Sequence, residues 1–567
     1  MHYLGLEEAG AAIAARELSS VEVTQHLLDR ITELNPKLHA YYTVFAESAL
    51  AEARGADAEL AGSRPRSALH GVPIAFKDLY NLGPTTAGSR VLEHNLATVE
   101  AAQVTRMREA GAVILGKLAT HEFALAAATL SDPFPPARNP WDVTRTPGGS
   151  STGAGVAVAA GLAFGAWGSD TGGSVRIPAA HCGVVGFKPT YGRLDLTGVI
   201  PLAWSLDHAG PLARSVVDAA LLVDPTARVE GRLSGVRLGA ARSFWAETCD
   251  GQIAAAVQSA LACCAEQGAE VVEVDLGLEP TDVIATGYLI TMAEAAAYHG
   301  RGRGEPRPYG REFGLVLETG RRLPATAYVA AQRARRCVGE AMERASARCD
   351  VVVMPTVGVL ADPLPEGPRP LGMRINRKPA PIYTWLVNLF GGPAVSVPCG
   401  FSAEGLPMGV QFIGRTGDDA RVLAAAAGYE AASGWGRRHP LRRSGLLLRR
   451  PVVARAAGGG RAARRRCAPR GRRAGHAGEH HPVRRRLAGL RAVGCRAGSG
   501  QHGISRPDPA APGGQLRRAP DAAGGPVRGP GRGRRRPSPV GRGGGLGAGF
   551  RERRGAAGSR AGGGGRA

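Results

Sequence analysis

Two serines and one lysine carry the chemistry that this sequence offers. Lys77 ends the apolar run 71–76, Ser150 lies in a Gly-Gly-Ser-Ser turn, and Ser174 follows 24 residues later in an Asp-Thr-Gly-Gly-Ser turn. A serine hydroxyl is a weak nucleophile until a base takes its proton, and neither turn contains His or Cys. A lysine acts as the base only as a neutral amine, which requires burial or a neighbouring positive potential. Ser-Lys pairs replace Ser-His-Asp in some hydrolases, so the pattern predicts acyl transfer at a serine.

Two other interpretations of the glycine-rich turns stay open at this point. Such turns often bind phosphate, but a P-loop needs Lys and then Ser or Thr directly after its last Gly, whereas Val156 follows Gly155 here. Neither glycine-rich turn contains a G-x-G-x-x-G motif either. A single serine in such a turn more often caps a helix. The presence of all three residues favours the nucleophile.

The elements around these residues alternate between helices and strands. Ser19 and Glu22 form a capping box that opens a helix, and Asn35-Pro36 is expected to end it. A second helix is predicted at 48–60, and the strand 71–76 delivers Lys77. Further strands are predicted at 112–115, 351–354, 392–397 and 409–413, and further helices at 156–162, 253–267 and 325–345. The alternation predicts an α/β fold, with a large mixed β-sheet covered by helices on both faces.

The net charge of +23 is confined to the end of the chain. Residues 1–440 hold 40 Lys and Arg against 44 Asp and Glu, whereas residues 441–567 hold 31 Arg and four acids. Arg, Gly, Ala and Pro fill 94 of the last 127 positions, so this segment has too little apolar surface to fold. We expect a folded part at 1–440 and a disordered tail at 441–567. The tail's residue types have GC-rich codons, so a frame error is a second hypothesis for its origin.

Composition also bears on compartment and metal binding. The nine Cys are scattered without a paired C-x-x-C, which is typical of a reducing cytoplasm and argues against a disulfide framework or a zinc site. His121-Glu122 begins like a zinc-protease helix, but Leu125 stands where the second His should be. Neither an export signal nor a membrane span is evident. We therefore expect a cytoplasmic protein without a metal or cofactor.

The longer motifs resemble the amidase signature family. Its hallmark is matched by Gly149-Ser150-Ser151, by the segment 168–179 and by the segment 186–193, with further likeness at 138–141 and 388–398. The likeness extends over about residues 5–435. It implies that residues 1–440 form an amidase domain with the amidase-signature fold, which hydrolyses a small carboxylic amide to an acid and ammonia or an amine.

The resemblance also implies a role for each matching residue. Ser174 corresponds to the nucleophile, Lys77 to the base, and Ser150 to a serine in a cis peptide that relays the proton between them. Backbone N–H groups of Thr171, Gly172, Gly173 and Ser174 correspond to the oxyanion hole. The implied mechanism is a two-step acyl transfer through a seryl acyl-enzyme.

The sequence favours a stand-alone amidase over two alternatives. One is the glutamine-hydrolysing A subunit of a tRNA-dependent amidotransferase, in which Arg335 would correspond to the arginine that binds the glutamine α-carboxylate. Its companion acid is absent, because the corresponding segment before Asn388 begins with Pro381. The other is non-specific nucleic-acid binding by the tail, whose single aromatic residue, Phe550, offers little base stacking. The acyl group, the amine and the oligomeric state, a homodimer included, stay open.

Several neighbouring residues have structural interpretations. Asp170 and Arg176 flank the nucleophile turn and are expected to form an ion pair that holds it. His181 is expected to be a core or pocket-edge histidine, and Cys182 a small buried residue. Tyr383 and Trp385 are expected in the core rather than in a substrate pocket.

Overall fold

The computed structural model of the protein describes residues 1–127, 129–130, 132–300, 308–364 and 382–435. The predicted tail at 441–567 lies outside these residues, so both its disorder and the domain boundary stay predictions. The helices of the described part are α1 (Leu6–Ala14), α2 (Ser20–Leu38), α3 (Ala46–Gly62), α4 (Ala102–Glu109), α5 (Thr152–Ala159), α6 (Arg176–Cys182), α7 (Val216–Val223), α8 (Arg242–Trp245), α9 (Gly251–Glu266), α10 (Pro280–His299), α11 (Arg311–Arg322), α12 (Ala325–Arg348), α13 (Ile382–Phe390) and α14 (Asp419–Ser433). None of them combines the length and the apolar character that crossing a bilayer requires.

The strands form one large mixed sheet and one small ribbon. They are β1 (Tyr41–Val44), β2 (Pro73–Lys77), β3 (Gly83–Pro84), β4 (Leu96–Ala97), β5 (Val113–Leu118), β6 (Gly165–Ser169), β7 (Val185–Lys188), β8 (Ala209–Ala213), β9 (Arg237–Ala240), β10 (Glu270–Glu273), β11 (Val351–Pro355), β12 (Ala394–Phe401) and β13 (Pro407–Ile413). The large sheet has eleven strands in the order β1-β5-β2-β6-β8-β7-β12-β13-β11-β9-β10, and β3 pairs with β4.

Burial along the central strands shows that both faces of the sheet are covered. Every residue of β2, β5, β6, β8 and β13 is buried. Successive side chains of a strand point to opposite faces, so a strand buried at every position is covered on both sides. The predicted α/β class is therefore confirmed.

The parallel strands β2 and β6 determine where the lysine lies. Phe76 pairs with Trp167, so Lys77 at the end of β2 lies beside the end of β6 at Ser169. Parallel strands end at the same edge of a sheet, and α5 and α6 both begin near this edge, directly after Ser151 and Val175. The turns that carry Ser150 and Ser174 are thereby brought to the end of β2.

Several predicted boundaries are wrong by two to four residues: the helix predicted at 156–162 is α5 at Thr152–Ala159, and the strand predicted at 392–397 is β12 at Ala394–Phe401. The end of α2 differs as well. The helix opened by Ser19 continues through Pro36 to Leu38 and ends where His39 adopts a left-handed conformation. Proline in the last turn removes only one helical hydrogen bond, which limits its cost. The Asn35 side chain compensates by bonding both the backbone N–H and the carbonyl of Tyr41, at 2.8 and 3.1 Å.

Candidate active site

Lys77 is a buried amine with two serine partners. Its Nζ lies 2.7 Å from Ser150 Oγ and 2.9 Å from Ser169 Oγ, and its relative exposure is 0%. Burial lowers the pKa of Lys77 from 10.5 to about 7, although the negative charges of Asp170 and Asp207 act in the opposite direction. A substantial fraction of the amine is therefore neutral near pH 7, as a base in this position requires.

The turn before α5 places Ser150 against this amine. The Gly149–Ser150 peptide is cis, as the family resemblance implied. A Cβ on Gly149 would lie 2.6 Å from both Ala126 O and Ala127 Cα, so only glycine fits there. Ser150 itself is fully buried. The structure therefore places Ser150 in direct contact with Lys77, and the catalytic roles of the two residues stay a prediction.

Ser174 lies at the accessible side of the same cluster. Its exposed fraction is 9%, against 0% for Lys77 and Ser150, and its carbonyl accepts a hydrogen bond from Ser151 N at 3.2 Å. This bond joins the two serine turns one residue away from Ser150. No hydrogen bond between the Ser174 and Ser150 hydroxyls occurs among the described contacts, so the relay from Ser174 to Ser150 stays a prediction.

The turn before Ser174 contains backbone N–H groups that lack an acceptor. Those of Thr171, Gly172 and Ser174 meet no acceptor in the part of the chain that the structure describes. The Gly173 N–H, in contrast, donates to Asp170 Oδ1 over 2.9 Å. The geometry therefore leaves three of the four predicted oxyanion-hole donors available and uses that of Gly173 to hold the turn.

An ion pair with no solvent exposure supports this turn. Arg176 Nη2 lies 2.9 Å from Asp170 Oδ1, and Arg176 Nε lies 3.0 Å from Asp170 Oδ2. Asn388 Nδ2 also donates to Asp170 Oδ1, at 2.8 Å. Although burial opposes ionisation of Asp170, the charges of Arg176 and Lys188 and the Asn388 hydrogen bond hold its pKa below its usual range. The predicted structural role of Asp170 and Arg176 is confirmed.

A cavity of about 290 Å³ lies beside the turn that leads to Ser174, and Thr171 is the residue of that turn in its lining. Its polar lining includes Ser169, Thr171, Asp207 and His208. The remaining lining residues are mostly apolar and comprise Leu79, Ala124, Leu196, Val199, Ile200, Pro201, Leu202 and Trp204. Thr171 belongs both to this lining and to the candidate oxyanion hole, so a carbonyl bound there has space for the rest of its molecule.

Asp207 connects the cavity wall to the turn that contains the candidate oxyanion hole, residues 171–174, which we call the oxyanion turn. It accepts a hydrogen bond from Thr171 Oγ1 at 2.6 Å and further hydrogen bonds from the Leu202 and Ala203 amides at 3.0 and 3.1 Å. Sequence reasoning missed Asp207 and His208, because they lie more than 30 residues beyond the glycine-rich turn and belong to no spaced motif. The sequence does contain a signal for Ser169, because this residue ends a strand directly before the Asp-Thr-Gly-Gly-Ser turn.

Arg335 on α12 lies behind this wall. Its Nη2 donates to Ser205 O at 2.9 Å, its Nη1 contacts Ser205 Oγ at 3.3 Å, and its Nε donates to Leu389 O at 3.0 Å. A guanidinium has five N–H donors, so two remain without an acceptor among the described residues. Pro381, the first residue of the segment in which the companion acid was expected, lies outside those residues.

The four other residues considered from the sequence lie in the core. His181 and Cys182 are buried on α6, with His181 Nε2 3.2 Å from Val359 O. Burial lowers the pKa of His181 and raises that of Cys182, so neither suits the role of charged acid or thiolate nucleophile. Tyr383 and Trp385 are buried as well. Their predicted core placement is confirmed.

Comparison with known proteins gives consistent results at the level of family and fold. The family model described as Amidase matches residues 22–423. Among curated proteins, the chain is 40% identical over 479 residues to the A subunit of glutamyl-tRNA(Gln) amidotransferase from Anaeromyxobacter sp. (strain K), covering 76% of this chain and 96% of that protein. The corresponding protein of Myxococcus xanthus (strain DK1622) is 39% identical over 482 residues, covering 77% and 98%.

Solved structures of similar proteins include both amidases and one component of an amidotransferase. A crystal structure of an amidase has a TM-score of 0.69 at 32% identity and covers 76% of this chain and 99% of its own. A bacterial aryl acylamidase has a TM-score of 0.69 at 26% identity, covering 77% and 97%. The A subunit of glutamyl-tRNA(Gln) amidotransferase from Thermotoga maritima has a TM-score of 0.62 at 32% identity, covering 76% and 94%.

Proposed function

The chain belongs to the amidase family of hydrolases acting on amide C–N bonds, and on that premise we propose that it cleaves a carboxylic amide through an acyl-enzyme on Ser174. The observation that supports this most directly is the 2.7 Å contact between Lys77 Nζ and Ser150 Oγ. The amine is fully buried, and burial lowers its pKa to about 7, so it can act as a base near neutral pH.

The proposed reaction has two steps. Neutral Lys77 takes the Ser150 proton while Ser150 takes that of Ser174, and Ser174 Oγ attacks the amide carbonyl. The resulting oxyanion accepts hydrogen bonds from the Thr171, Gly172 and Ser174 amides, and each such donor typically lowers the barrier by about 3 kcal/mol. The relay then protonates the leaving nitrogen as the C–N bond breaks. Water repeats the attack on the ester, which releases the acid and regenerates Ser174.

Two substitutions test this mechanism. Ser174→Ala and Lys77→Met are each expected to abolish amide hydrolysis, measured as ammonia release, while the thermal unfolding transition stays cooperative. Ser396→Ala is the matched control for the serine, because Ser396 is also buried but its hydroxyl bonds to Thr356 at 2.8 Å. Lys188→Met is the matched control for the lysine, because the Lys188 amine is equally buried but donates to the Pro189 and Gly392 carbonyls. Near-native turnover by either active-site variant would refute the assignment.

For the substrate we propose glutamine, with the chain acting as the glutamine-hydrolysing component of a tRNA-dependent amidotransferase. The similarity to proteins of that name, at 40% identity over 96% of the relative's length, supports this function over the stand-alone amidase favoured from sequence. Arg335 supports it as well. Two of its N–H donors meet no acceptor among the described residues. They lie near Ser205, which is in the loop between the lining residues Trp204 and Asp207, and they suit a substrate carboxylate.

Glutaminase assays with and without a B-type partner protein distinguish the two functions. We expect ammonia release from glutamine to increase strongly when the partner is added. Arg335→Gln should then raise the KM for glutamine. Arg336→Gln should not, because the neighbouring Arg336 is exposed and, among the described residues, pairs with Glu340. Glutamine left intact in both mixtures, with neutral amides cleaved by the chain alone, would contradict the glutaminase proposal.

A stand-alone amidase is the second candidate function, because the cavity wall is mostly apolar and none of the described residues that line it is Lys or Arg. Such a wall suits an uncharged acyl or amine group. Turnover of aliphatic, aromatic and amino-acid amides by the chain alone is its test. A cytoplasmic location and weak, salt-sensitive binding of nucleic acid by residues 441–567 stay predictions from composition.

A further inference from the structure

His208 has a ring nitrogen that its surroundings fix as a donor. Its Nδ1 lies 2.7 Å from Leu206 O and 3.1 Å from Asp170 O. Carbonyl oxygens only accept hydrogen bonds, so Nδ1 carries the proton. The other nitrogen of the neutral imidazole, Nε2, is then an acceptor with a free lone pair.

This acceptor is buried and has no donor opposite it. The exposed fraction of His208 is 3%, and Nε2 has no hydrogen-bond partner among the described residues. Burial, together with the positive charge of Lys188, holds the pKa of His208 well below its usual range, so the ring stays neutral. A buried polar atom without a partner costs free energy, which a ligand with a suitable donor recovers.

His208 differs in this respect from the other buried polar residues in the cavity lining. Ser169 bonds to Lys77, and the Thr171 hydroxyl donates to Asp207, which also binds two backbone amides. Their side-chain hydrogen bonds are directed to the protein. The ring of His208 therefore offers a buried acceptor in a wall that is otherwise mostly apolar.

We propose that His208 Nε2 accepts a hydrogen bond from an amino group of the substrate, so that the cavity selects amides that present an N–H donor at this position. The inference rests on the proposed amide hydrolysis and adds a substrate feature to it. The donor has two potential sources. It is the α-amino group of glutamine, three carbons from the scissile carbonyl, or that of an α-amino acid amide, directly beside it.

Two pairs of ligands separate these sources. L-Glutamine is compared with glutaramate, and L-phenylalaninamide with 3-phenylpropanamide, since each second member lacks only the amino group. Binding is measured by calorimetry on the full chain carrying Ser174→Ala, which prevents turnover. In one of the pairs we expect the amino compound to bind about tenfold more tightly, as one hydrogen bond to a charged donor provides.

Two substitutions of His208 then test whether the tighter binding of the amino compound depends on Nε2. His208→Asn keeps an N–H near Nδ1 for the Leu206 carbonyl but removes the acceptor at Nε2, so it should abolish the preference and leave the affinity for the amino-free compound unchanged. His208→Gln places an amide near Nε2 and should restore part of the preference. His181→Phe is the control, because His181 is equally buried, bonds Val359 O and does not line the cavity.

The outcomes distinguish this inference from the proposed function. A preference that persists in His208→Asn, or the absence of a preference in both pairs, overturns the role of His208. Hydrolysis by the wild-type chain is measured separately. If the wild-type chain cleaves no amide but His208→Asn abolishes a binding preference, the proposed function fails and the recognition role stands.

Discussion

The Asp170 carboxylate accepts the backbone N–H of Gly173 over 2.9 Å, one residue before Ser174. The same carboxylate pairs with Arg176, two residues after Ser174. It therefore holds the backbone on both sides of the proposed nucleophile. An acid in this position shapes the oxyanion turn by occupying one amide and leaving the amides of Thr171, Gly172 and Ser174 available.

Breaking this ion pair should strongly destabilise the fold. Arg176→Met leaves the Asp170 charge buried and uncompensated, so we expect a loss of about 3–5 kcal/mol in the free energy of unfolding. Urea denaturation measures it. Arg322→Ala is the control, because its pair with Glu318 is exposed and should contribute less than about 1 kcal/mol. Equal effects of the two substitutions would show that the buried pair has no special role.

Gly173→Ala should reduce turnover and stability together. The φ angle of Gly173 is +124°, and a Cβ there would lie 2.3 Å from Thr384 Oγ1, so the turn has to move. Gly314→Ala on α11 is the matched control, because a Cβ there meets only open space. That change should raise stability by about 0.5–1 kcal/mol, since Ala favours helix over Gly. A native kcat in Gly173→Ala would contradict the claim that turnover requires this turn to keep its geometry.

Activity should increase with pH through about 7, because only neutral Lys77 can accept a proton and its pKa is lowered to about 7. Asp207→Asn removes a negative charge that stabilises the protonated amine. The Lys77 pKa should then fall, and the acidic limb of the profile of kcat against pH should move to lower pH. Asp218→Asn, a buried acid on α7 that does not line the cavity, should leave this limb in place. A shift toward higher pH in Asp207→Asn would contradict Lys77 as the base.

Removal of residues 441–567 should leave kcat/KM for amides unchanged, because the family match ends at residue 423 and the proposed site residues, from Lys77 to Arg335, all precede that position. Truncation after Ile413 is the contrasting variant. It removes α14, whose Val422 and Tyr429 are buried, and should give insoluble protein. A large fall in kcat after removal of residues 441–567 would mean that the tail contributes to catalysis.

The sequence by itself determined the fold class and indicated the candidate site residues. Periodicity and turn residues predicted the α/β alternation, because these signals act over a few neighbouring residues. The pattern of Lys77, Ser150 and Ser174 predicted a serine nucleophile with a lysine base, and the Lys77–Ser150 contact agrees with that pattern.

Only the tertiary structure decided which groups surround those residues. Ser169 contacts Lys77 because β2 and β6 pair in parallel across 92 residues of sequence. Asp207 reaches Thr171 because the next residue, His208, pairs with the residue before Thr171. The backbone N–H of His208 donates to Asp170 O at 3.1 Å. Even the end of α2 depended on a contact between Asn35 and Tyr41 beyond the helix. Such contacts depend on packing between distant segments, which local spacing and residue preference do not encode.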